Sequence, residues 1–143
     1  MEKKKTSKMW LCVQFCAGGA GYGLLEILYR GVTHISMLFL GGACFCMLCK
    51  LAQAPLHLLQ KSLMGGGIIT ALEYLTGCVV NLWLGLDVWD YSEEIFQLQG
   101  QICIRFFALW CGLSAAFFIL RGYVRSKNRH RPVSFLPALW QRE

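Results

Sequence analysis

Four long runs of apolar residues alternate with short polar segments along the chain. The runs cover residues 9–29, 35–54, 63–86 and 101–120, and each is close to the roughly 20 residues that an α-helix needs to cross the hydrocarbon core of a bilayer. Helices are expected because backbone groups without a hydrogen bond are costly in lipid. The pattern therefore predicts an all-α, polytopic membrane helix bundle with four transmembrane helices.

The pattern of the first two runs is echoed by the last two. Leu25-Glu26-Ile27-Leu28 in the first run resembles Leu72-Glu73-Tyr74-Leu75 in the third. Each run is followed by a polar loop and by a returning run that contains small residues. This echo favours an arrangement of the four helices as two hairpins.

Basic residues give the orientation of the helices. Arg30 and Arg105 lie toward one side of the predicted bundle, and the other twelve of the 14 Lys and Arg residues lie toward the opposite side: Lys3, Lys4, Lys5, Lys8, Lys50, Lys61, Arg121, Arg125, Lys127, Arg129, Arg131 and Arg142. By the positive-inside rule, both termini are predicted to be cytoplasmic. The chain then divides into a basic N-terminus (1–8), a membrane domain (9–120) and a basic tail (121–143).

The predicted outer loop, residues 87–100, is acidic and aromatic and contains no Lys or Arg. Val88, Tyr91, Ile95 and Leu98 recur at helical spacing, which predicts that part of the loop lies as an amphipathic helix in the membrane interface. Trp89 and Tyr91 are then expected at the level of the lipid headgroups.

Composition narrows the function further. Of the residues, 56% are hydrophobic and 15% are charged, and the formal net charge is +6. The basic residues lie where topology signals are expected, so no nucleic-acid partner is predicted. The eight cysteines all fall in apolar runs, which is typical of small hydrophobic residues rather than of metal ligands. The sequence contains no P-loop, nucleophile-elbow or HExxH motif. We therefore expect no enzymatic activity, no cofactor and no metal site.

Glu73 is the main candidate functional residue. It lies ten residues into the third run, about 15 Å deep at 1.5 Å per residue and hence near the bilayer midplane. At 100° per residue, one narrow face of this helix carries small or polar residues, namely Gly66, Thr70, Glu73, Gly77 and Asn81. This stripe is expected to face the bundle interior or a hydrated cavity.

A second set of charges is predicted nearer the outer surface. Glu26 shares a face of the first helix with Arg30, and Arg105 lies at a similar depth in the fourth. Glu26 is therefore expected to pair with either Arg105 or Arg30. Together with Thr70 and Asn81, Glu26 and Arg105 form the candidate polar path around Glu73.

Two interpretations of the polar residues stay open at this point. In one, they are structural and fix the register of the helices. In the other, Glu73 carries a proton or a cation, or forms part of a polar substrate path. The corresponding functions are a transport-related subunit, working as a homo-oligomer or with a separate ATPase, and a non-transporting scaffold or regulator whose stripe docks another membrane helix.

Several motifs resemble the ABC-transporter type IV, or CmpB-like, family of small bacterial multi-pass membrane proteins. The resemblance rests on Leu72-Glu73-Tyr74, on Trp89-Asp90-Tyr91-Ser92 and on Gly100, with further likeness at Thr33-His34-Ile35-Ser36-Met37 and Gly41-Gly42. The sequence departs from the expected pattern at Ile95 and Gln101. The resemblance implies a transport-related protein of the bacterial cytoplasmic membrane.

Overall fold

Four helices account for the regular structure. A computed structural model describes the backbone of residues 2–129 and the side chains of residues 8–127, and within these ranges every regular element is helical. The helices are α1 (Glu2–Arg30), α2 (Ile35–Leu51), α3 (Leu58–Gly77) and α4 (Ile104–Arg129). Directly after α3, the chain continues as one π-helical segment, Cys78–Trp83. The all-helical prediction is confirmed.

Small residues bring the helices together in two hairpins. A Cβ atom added to Gly19 would lie 2.5 Å from the carbonyl oxygen of Leu38, so α1 and α2 are in backbone contact there. Gly65 has the same role between α3 and α4, since an added Cβ would lie 2.6 Å from Ser114 Oγ. The antiparallel order of the helices places Glu2 and Arg129 at the same end of the bundle. We call this the inner end, following the predicted orientation.

The helices have the dimensions and apolar surface of a membrane protein. Three stretches are long and apolar enough to cross a bilayer, namely Lys8–Arg30, Leu58–Trp83 and Ile104–Lys127. The apolar helix α2 is shorter, with 17 residues, or about 25 Å at 1.5 Å per residue. Large apolar side chains such as Leu28, Leu59 and Ile119 point away from the bundle, as expected for a surface that faces lipid. The crossing by α2 and the cytoplasmic side of the termini stay predictions.

Several helix bounds differ from the predicted spans. The helix α2 ends at Leu51 rather than at residue 54, α3 begins at Leu58 rather than at residue 63, and α4 begins at Ile104 rather than at residue 101. The start of α3 is set by a local hydrogen bond, because the His57 amide donates to the Gln60 side chain. Hydropathy does not detect such caps.

The predicted terminal segments are partly helical as well. The helix α1 includes residues 2–8 of the predicted basic N-terminus, and α4 extends through residues 121–129 of the predicted tail. Lys and Arg have high helix propensity, so a charged segment can extend a membrane helix beyond the bilayer. Residues 130–143 of the tail lie outside the described residues.

The prediction of an amphipathic helix in the outer loop is wrong. Residues 84–103 form turns and irregular backbone with a single bridge between Leu98 and Ile102. Asp87, Phe96 and Gln99 have positive φ angles of 46°, 52° and 52°, a conformation that does not continue a right-handed helix. The Trp89 side chain is only 5% exposed, so its ring packs in the protein core, and its depth relative to the lipid headgroups stays a prediction. The outer loop packs onto the outer end of α3 and α4.

Candidate functional site

Glu73 lies at the centre of the candidate site and is 1% exposed. Its two carboxylate oxygens accept hydrogen bonds from different parts of the chain. The Tyr91 hydroxyl donates to Oε1 at 3.1 Å, and the indole N–H of Trp110 donates to Oε2 at 2.8 Å. Both donors are neutral, and no cation among the described side chains pairs with Glu73. The carboxylate therefore holds α3, α4 and the outer loop together without a compensating charge.

The outer loop reaches Glu73 because Asn81 holds the start of this loop. Asn81 lies in the π-helical segment and is buried. Its Oδ1 accepts a hydrogen bond from the Val88 amide at 2.8 Å, and its Nδ2 lies within hydrogen-bond distance of the Trp89 carbonyl (2.9 Å) and of Gln101 Oε1 (2.7 Å). Irregular backbone lacks the regular hydrogen bonds of a helix, and here the Asn81 side chain provides partners for the backbone groups of Val88 and Trp89 instead. Asn81 fixes the residues that precede Tyr91.

The Trp-Asp-Tyr-Ser motif forms a compact turn that is closed by Gly100. The Tyr91 amide donates to the Gly100 carbonyl at 2.7 Å, and Asp90 Oδ1 accepts from the Ser92 amide at 2.8 Å and from the Ser92 hydroxyl. These two hydrogen bonds favour the charged form of Asp90 and lower its pKa. Gly100 has φ +67°, and an added Cβ would lie 2.5 Å from Asp90 Oδ1. The position therefore requires glycine.

The indole of Trp89 anchors the same turn. It is buried within the core cluster, and its N–H donates to the Gln101 carbonyl at 3.0 Å. Gln101 is itself buried and accepts from Asn81. Trp89, Asp90, Ser92 and Gly100 make no hydrogen bond to Glu73. They position Tyr91, which does.

Stacked aromatic rings surround the carboxylate. Tyr91 stacks on Phe106 with ring centroids 4.5 Å apart, and Tyr22 stacks on Trp110 at 5.7 Å. Burial, together with the nearby Glu73 carboxylate, raises the pKa of Tyr91, so its hydroxyl stays protonated and acts as a donor. Among these rings, the Glu73 side chain is 1% exposed.

Glu26 and Arg105 do not form the pair that was considered from the sequence. Arg105 Nη1 lies 2.7 Å from Glu94 Oε1 in the outer loop. Glu26 instead accepts a hydrogen bond from the Thr33 hydroxyl at 2.6 Å and lies 3.7 Å from Arg30. The Glu94 carboxylate takes the guanidinium because the outer loop packs back on α4. The Arg30 alternative for Glu26 agrees with the structure.

Glu26 and Arg105 nevertheless line the same cavity, which has a volume of about 570 Å³ and lies between α1 and α4. The walls are mostly apolar and aromatic, and the lining residues include Tyr22, Glu26, Arg30, Arg105, Phe106 and Trp110. Neither Glu26 nor Arg105 bonds to Glu73. They belong to the outer part of the space between the two hairpins.

The polar stripe of α3 faces other parts of the same chain. A Cβ added to Gly66 would collide with Cys111, and one added to Gly77 would collide with the Gln101 side chain. Thr70 lies one turn inward of Glu73, and its hydroxyl oxygen is buried without a hydrogen bond to any described residue. The stripe is therefore covered by α4 and the outer loop, so it is not a free surface for a second membrane helix.

Sequence reasoning missed the residues that complete the site from other elements. Trp110 provides one of the two donors to Glu73, Gln101 pairs with Asn81, and Tyr22 and Phe106 form the aromatic packing. Gln101 is the first residue of the predicted fourth span, and Trp110 has no predicted role. A lone Trp or Gln in an apolar run gives no signal of its partner, because that partner lies on another helix.

The fold and this site define a helical membrane protein in which a buried carboxylate, Glu73, lies under an ordered outer loop. The chain belongs to the family described as "Putative ABC-transporter type IV", whose sequence profile matches residues 20–135. This match confirms the family resemblance and includes Glu73, the Trp-Asp-Tyr-Ser motif and Gly100. Comparisons with curated proteins and with solved structures give no match.

Proposed function

We propose that this protein is a permease-like subunit of a transport system and that Glu73 is the proton- or cation-exchanging group of its polar path. The observation that carries the proposal is the pairing of Glu73 with neutral donors alone. A buried carboxylate is costly in a bilayer and ordinarily has a cationic partner when its role is structural.

The same protein offers a direct contrast. Glu26 lies beside Arg30, and Glu94 pairs with Arg105, so both have the partner expected of a structural ion pair. Glu73 is more deeply buried than either and has none among the described side chains. Its two neutral donors leave it free to exchange a proton or to bind a small cation without displacing a fixed guanidinium or ammonium group.

The geometry also supports a gating role for the outer loop. Tyr91 lies on this loop and Trp110 on α4, so the carboxylate is held by donors from two separate elements. Release of the Tyr91 hydrogen bond would open Glu73 toward the outer surface. Movement of a covering loop is a common way to give a buried group access to one side at a time.

The chain is proposed to work with partners and to have no catalytic activity of its own. Four helices enclose little space, and the family description refers to ABC transporters. A separate ATPase subunit or further copies of this chain would complete the path. The proposed location is the cytoplasmic membrane of a bacterium, with the basic tail near anionic lipid.

The alternative function is a scaffold or regulatory subunit. In its simplest form, the α3 stripe would dock a helix from a partner, but here α4 and the outer loop already cover that stripe. A scaffold would instead use the exposed surface of the outer loop, where Ile95 and Phe96 are largely exposed.

Replacing Glu73 with Gln tests the proposal. The tagged chain is purified from native membranes with its bound subunits and reconstituted in liposomes that contain a pH-sensitive dye, with and without ATP. We expect proton flux in the unaltered complex, loss of flux in Glu73→Gln with intact assembly, and retained flux in the matched control Glu94→Gln. Equal flux in Glu73→Gln and the unaltered complex would rule the proposal out, and loss of the complex itself would favour the scaffold.

A further inference from the structure

The two hairpins leave a groove where α1 and α4 face each other. The cavity of about 570 Å³ between these helices adjoins a smaller one of about 240 Å³ on its inner side. The two cavities share four lining residues, namely Tyr22, Leu25, Trp110 and Leu113. We call them together the α1–α4 groove. The larger cavity alone lies within the roughly 300–1,000 Å³ that is typical of sites for small molecules.

The groove has a buried floor and exposed rims. Glu26 and Trp110 line the floor and are each 8% exposed, whereas Leu25 on α1 and Leu109 on α4 are 50% and 49% exposed. Both α1 and α4 contain a stretch that is long and apolar enough to cross a bilayer. The opening between their exposed rims therefore faces the acyl chains of the surrounding lipid.

The two ends of the groove differ in chemistry. Arg30 and Arg105 line the outer cavity, and the walls further inward are mainly aliphatic and aromatic. Along α4, Arg105 and the inner lining residue Phe117 are 12 positions apart, or about 18 Å at 1.5 Å per residue. One leaflet contributes about half of a hydrocarbon core that is roughly 30 Å thick. The groove thus has about the length of an acyl chain in one leaflet.

Both guanidinium groups have hydrogen-bond donors left for a ligand. Arg105 uses Nη1 for Glu94, and Arg30 uses Nη2 for the Val88 carbonyl. Their other N–H groups make no hydrogen bond to any residue that the structure describes. The side chain of Arg105 is 66% exposed and that of Arg30 is 27% exposed. A guanidinium carries five N–H donors in a planar fork that matches the oxygens of a phosphate group.

The outer end of the groove has no net charge. Glu26 lies 3.7 Å from Arg30, and Glu94 lies 2.7 Å from Arg105, so each guanidinium has one carboxylate beside it. Long-range attraction of anions is therefore weak. A ligand would be selected by direct hydrogen bonds to the guanidinium groups and by the fit of its apolar part.

We propose that the α1–α4 groove is a phospholipid-binding site, in which one acyl chain lies along the apolar walls and the phosphate accepts hydrogen bonds from Arg105 and Arg30. The chain is in an apolar medium whether or not it is bound, so its transfer into the groove gives little hydrophobic free energy. The charge-assisted bonds to the phosphate therefore decide which lipid binds.

The proposal goes beyond the transport function and does not require it. The acyl chain would nevertheless lie close to the candidate site. Trp110 forms part of the groove wall, and its indole N–H donates to Glu73. A bound lipid would therefore pack against the residue that holds the carboxylate.

Native mass spectrometry of the full chain, purified from native membranes, tests the site by counting bound lipids. The probes are dipalmitoyl phosphatidylglycerol and dipalmitoylglycerol, which carries the same two chains and no phosphate. We expect one phosphatidylglycerol to bind about tenfold more tightly than dipalmitoylglycerol, the effect of one hydrogen bond to a charged group. Equal affinities would overturn the proposal. A mass of two copies without lipid would overturn it too, because a second copy would then occupy the groove.

Two variants separate the guanidinium from the ion pair in which it takes part. Arg105→Gln and Glu94→Gln both break the contact between these residues, but only Arg105→Gln removes donors to the phosphate. We expect the affinity for phosphatidylglycerol to fall about tenfold in Arg105→Gln and to stay unchanged in Glu94→Gln. An equal loss in the two variants would mean that the ion pair determines binding, and it would overturn the proposal. Unchanged affinity in Arg105→Gln would do the same.

A second pair of variants tests the apolar part of the groove. Leu109→Trp adds a bulky ring at a residue that lines the groove, and it should weaken the binding of both probes about tenfold. Leu63→Trp is the matched control, because Leu63 is 50% exposed and does not line the groove. Both residues are exposed, so the fold is retained in both variants. Binding in Leu109→Trp that equals binding in Leu63→Trp would contradict an acyl chain in the groove.

The outcome for the lipid site is independent of the outcome for transport. Glu73 does not line the groove, so Glu73→Gln should bind phosphatidylglycerol as the unaltered chain does, even when proton flux is lost. Equal affinities for the two probes in a chain with Glu73-dependent flux would overturn the lipid site alone. Selective binding of phosphatidylglycerol without Glu73-dependent flux would overturn the transport function alone.

Discussion

Tyr91 donates a hydrogen bond to Glu73 across 3.1 Å, although the two residues are 18 positions apart in the chain. This contact joins the outer loop to the buried carboxylate. It gives a physical reason for the Trp-Asp-Tyr-Ser motif, in which Asp90 and Ser92 shape the turn that carries Tyr91. The loop and the membrane glutamate are therefore one structural unit.

Tyr91→Phe removes the hydroxyl and keeps the ring that stacks on Phe106. The buried oxygen of Glu73 then loses one of its two donors, which should lower the free energy of unfolding in detergent by about 1–3 kcal/mol. Tyr123→Phe is the control, because Tyr123 is exposed and makes no hydrogen bond within the described residues. Equal stability of the two variants would show that the Tyr91 hydrogen bond contributes nothing.

Asn81→Ala should release the start of the outer loop. The Val88 amide would lose its acceptor at 2.8 Å, so we expect its hydrogen exchange to become at least tenfold faster, which corresponds to about 1.4 kcal/mol. Hydrogen exchange measured by NMR checks this result. Gln53→Ala removes a hydrogen bond at the inner end of α2 and should leave Val88 unchanged. Unchanged exchange in Asn81→Ala would mean that other contacts hold the loop.

Two glycines with similar backbone angles allow the steric role of Gly100 to be measured. Gly85 and Gly100 have φ angles of +64° and +67°, but only at Gly100 would a Cβ meet other atoms, namely those of Asp90 and Ser92. Both Ala variants carry the same backbone strain. Gly100→Ala should therefore lose about 1–3 kcal/mol more stability, the usual cost of overpacking. Thermal unfolding of the two variants gives this difference directly, and equal losses would refute the proposed clash.

A double-mutant cycle distinguishes the partners of Arg105. Its guanidinium is 2.7 Å from Glu94 at an exposed position, so Arg105→Gln and Glu94→Gln should show a coupling energy of about 0.2–1 kcal/mol that decreases with salt. The cycle between Arg105 and Glu26 should give no measurable coupling. A coupling to Glu26 that exceeded the coupling to Glu94 would contradict the observed pairing.

The carboxyl group of Asp90 should titrate below its ordinary range. The Ser92 hydroxyl and amide hold the pKa of Asp90 down by binding the charged form. Because the folded pKa is lower than that of the unfolded chain, about 3.9, the turn is stabilised above that value and loses this contribution as pH falls through the folded pKa.

Carboxyl ¹³C shifts followed through a pH titration measure this effect. Ser92→Ala should raise the pKa of Asp90 toward its ordinary value. Ser36→Ala, which removes a hydroxyl that bonds to His34 instead, should leave the titration unchanged. The assignment fails if Ser92→Ala has no effect on the Asp90 carboxyl.

Depth and helical periodicity were enough to select Glu73 from the sequence. A single acidic residue near the middle of an apolar run, on a face with Thr70 and Asn81, has few alternatives to a buried position. The same reasoning gave Arg30 and Arg105 as two alternatives for Glu26 and could not choose between them. That choice depended on the outer loop, whose Glu94 takes Arg105.

The outer loop shows where periodicity fails. Apolar residues at helical spacing in residues 87–100 predicted an amphipathic helix, yet left-handed residues at Asp87, Phe96 and Gln99 turn the chain sharply. The hydrogen bonds of Asn81, Trp89 and Tyr91 compensate for the lost helical ones. Each of them crosses between elements, so no local pattern reports them.

The sequence by itself determined the apolar helices, the membrane environment, the buried carboxylate and the family motif. These follow from hydrophobicity and helical spacing, which depend on residues close together in the chain. Only the tertiary structure decided that Tyr91 and Trp110 are the donors to Glu73 and that the outer loop covers it. Only the packed hairpins revealed the α1–α4 groove with Arg30 and Arg105 at its outer end. These features depend on distances between side chains of different elements, which are set by helix packing and not by local sequence.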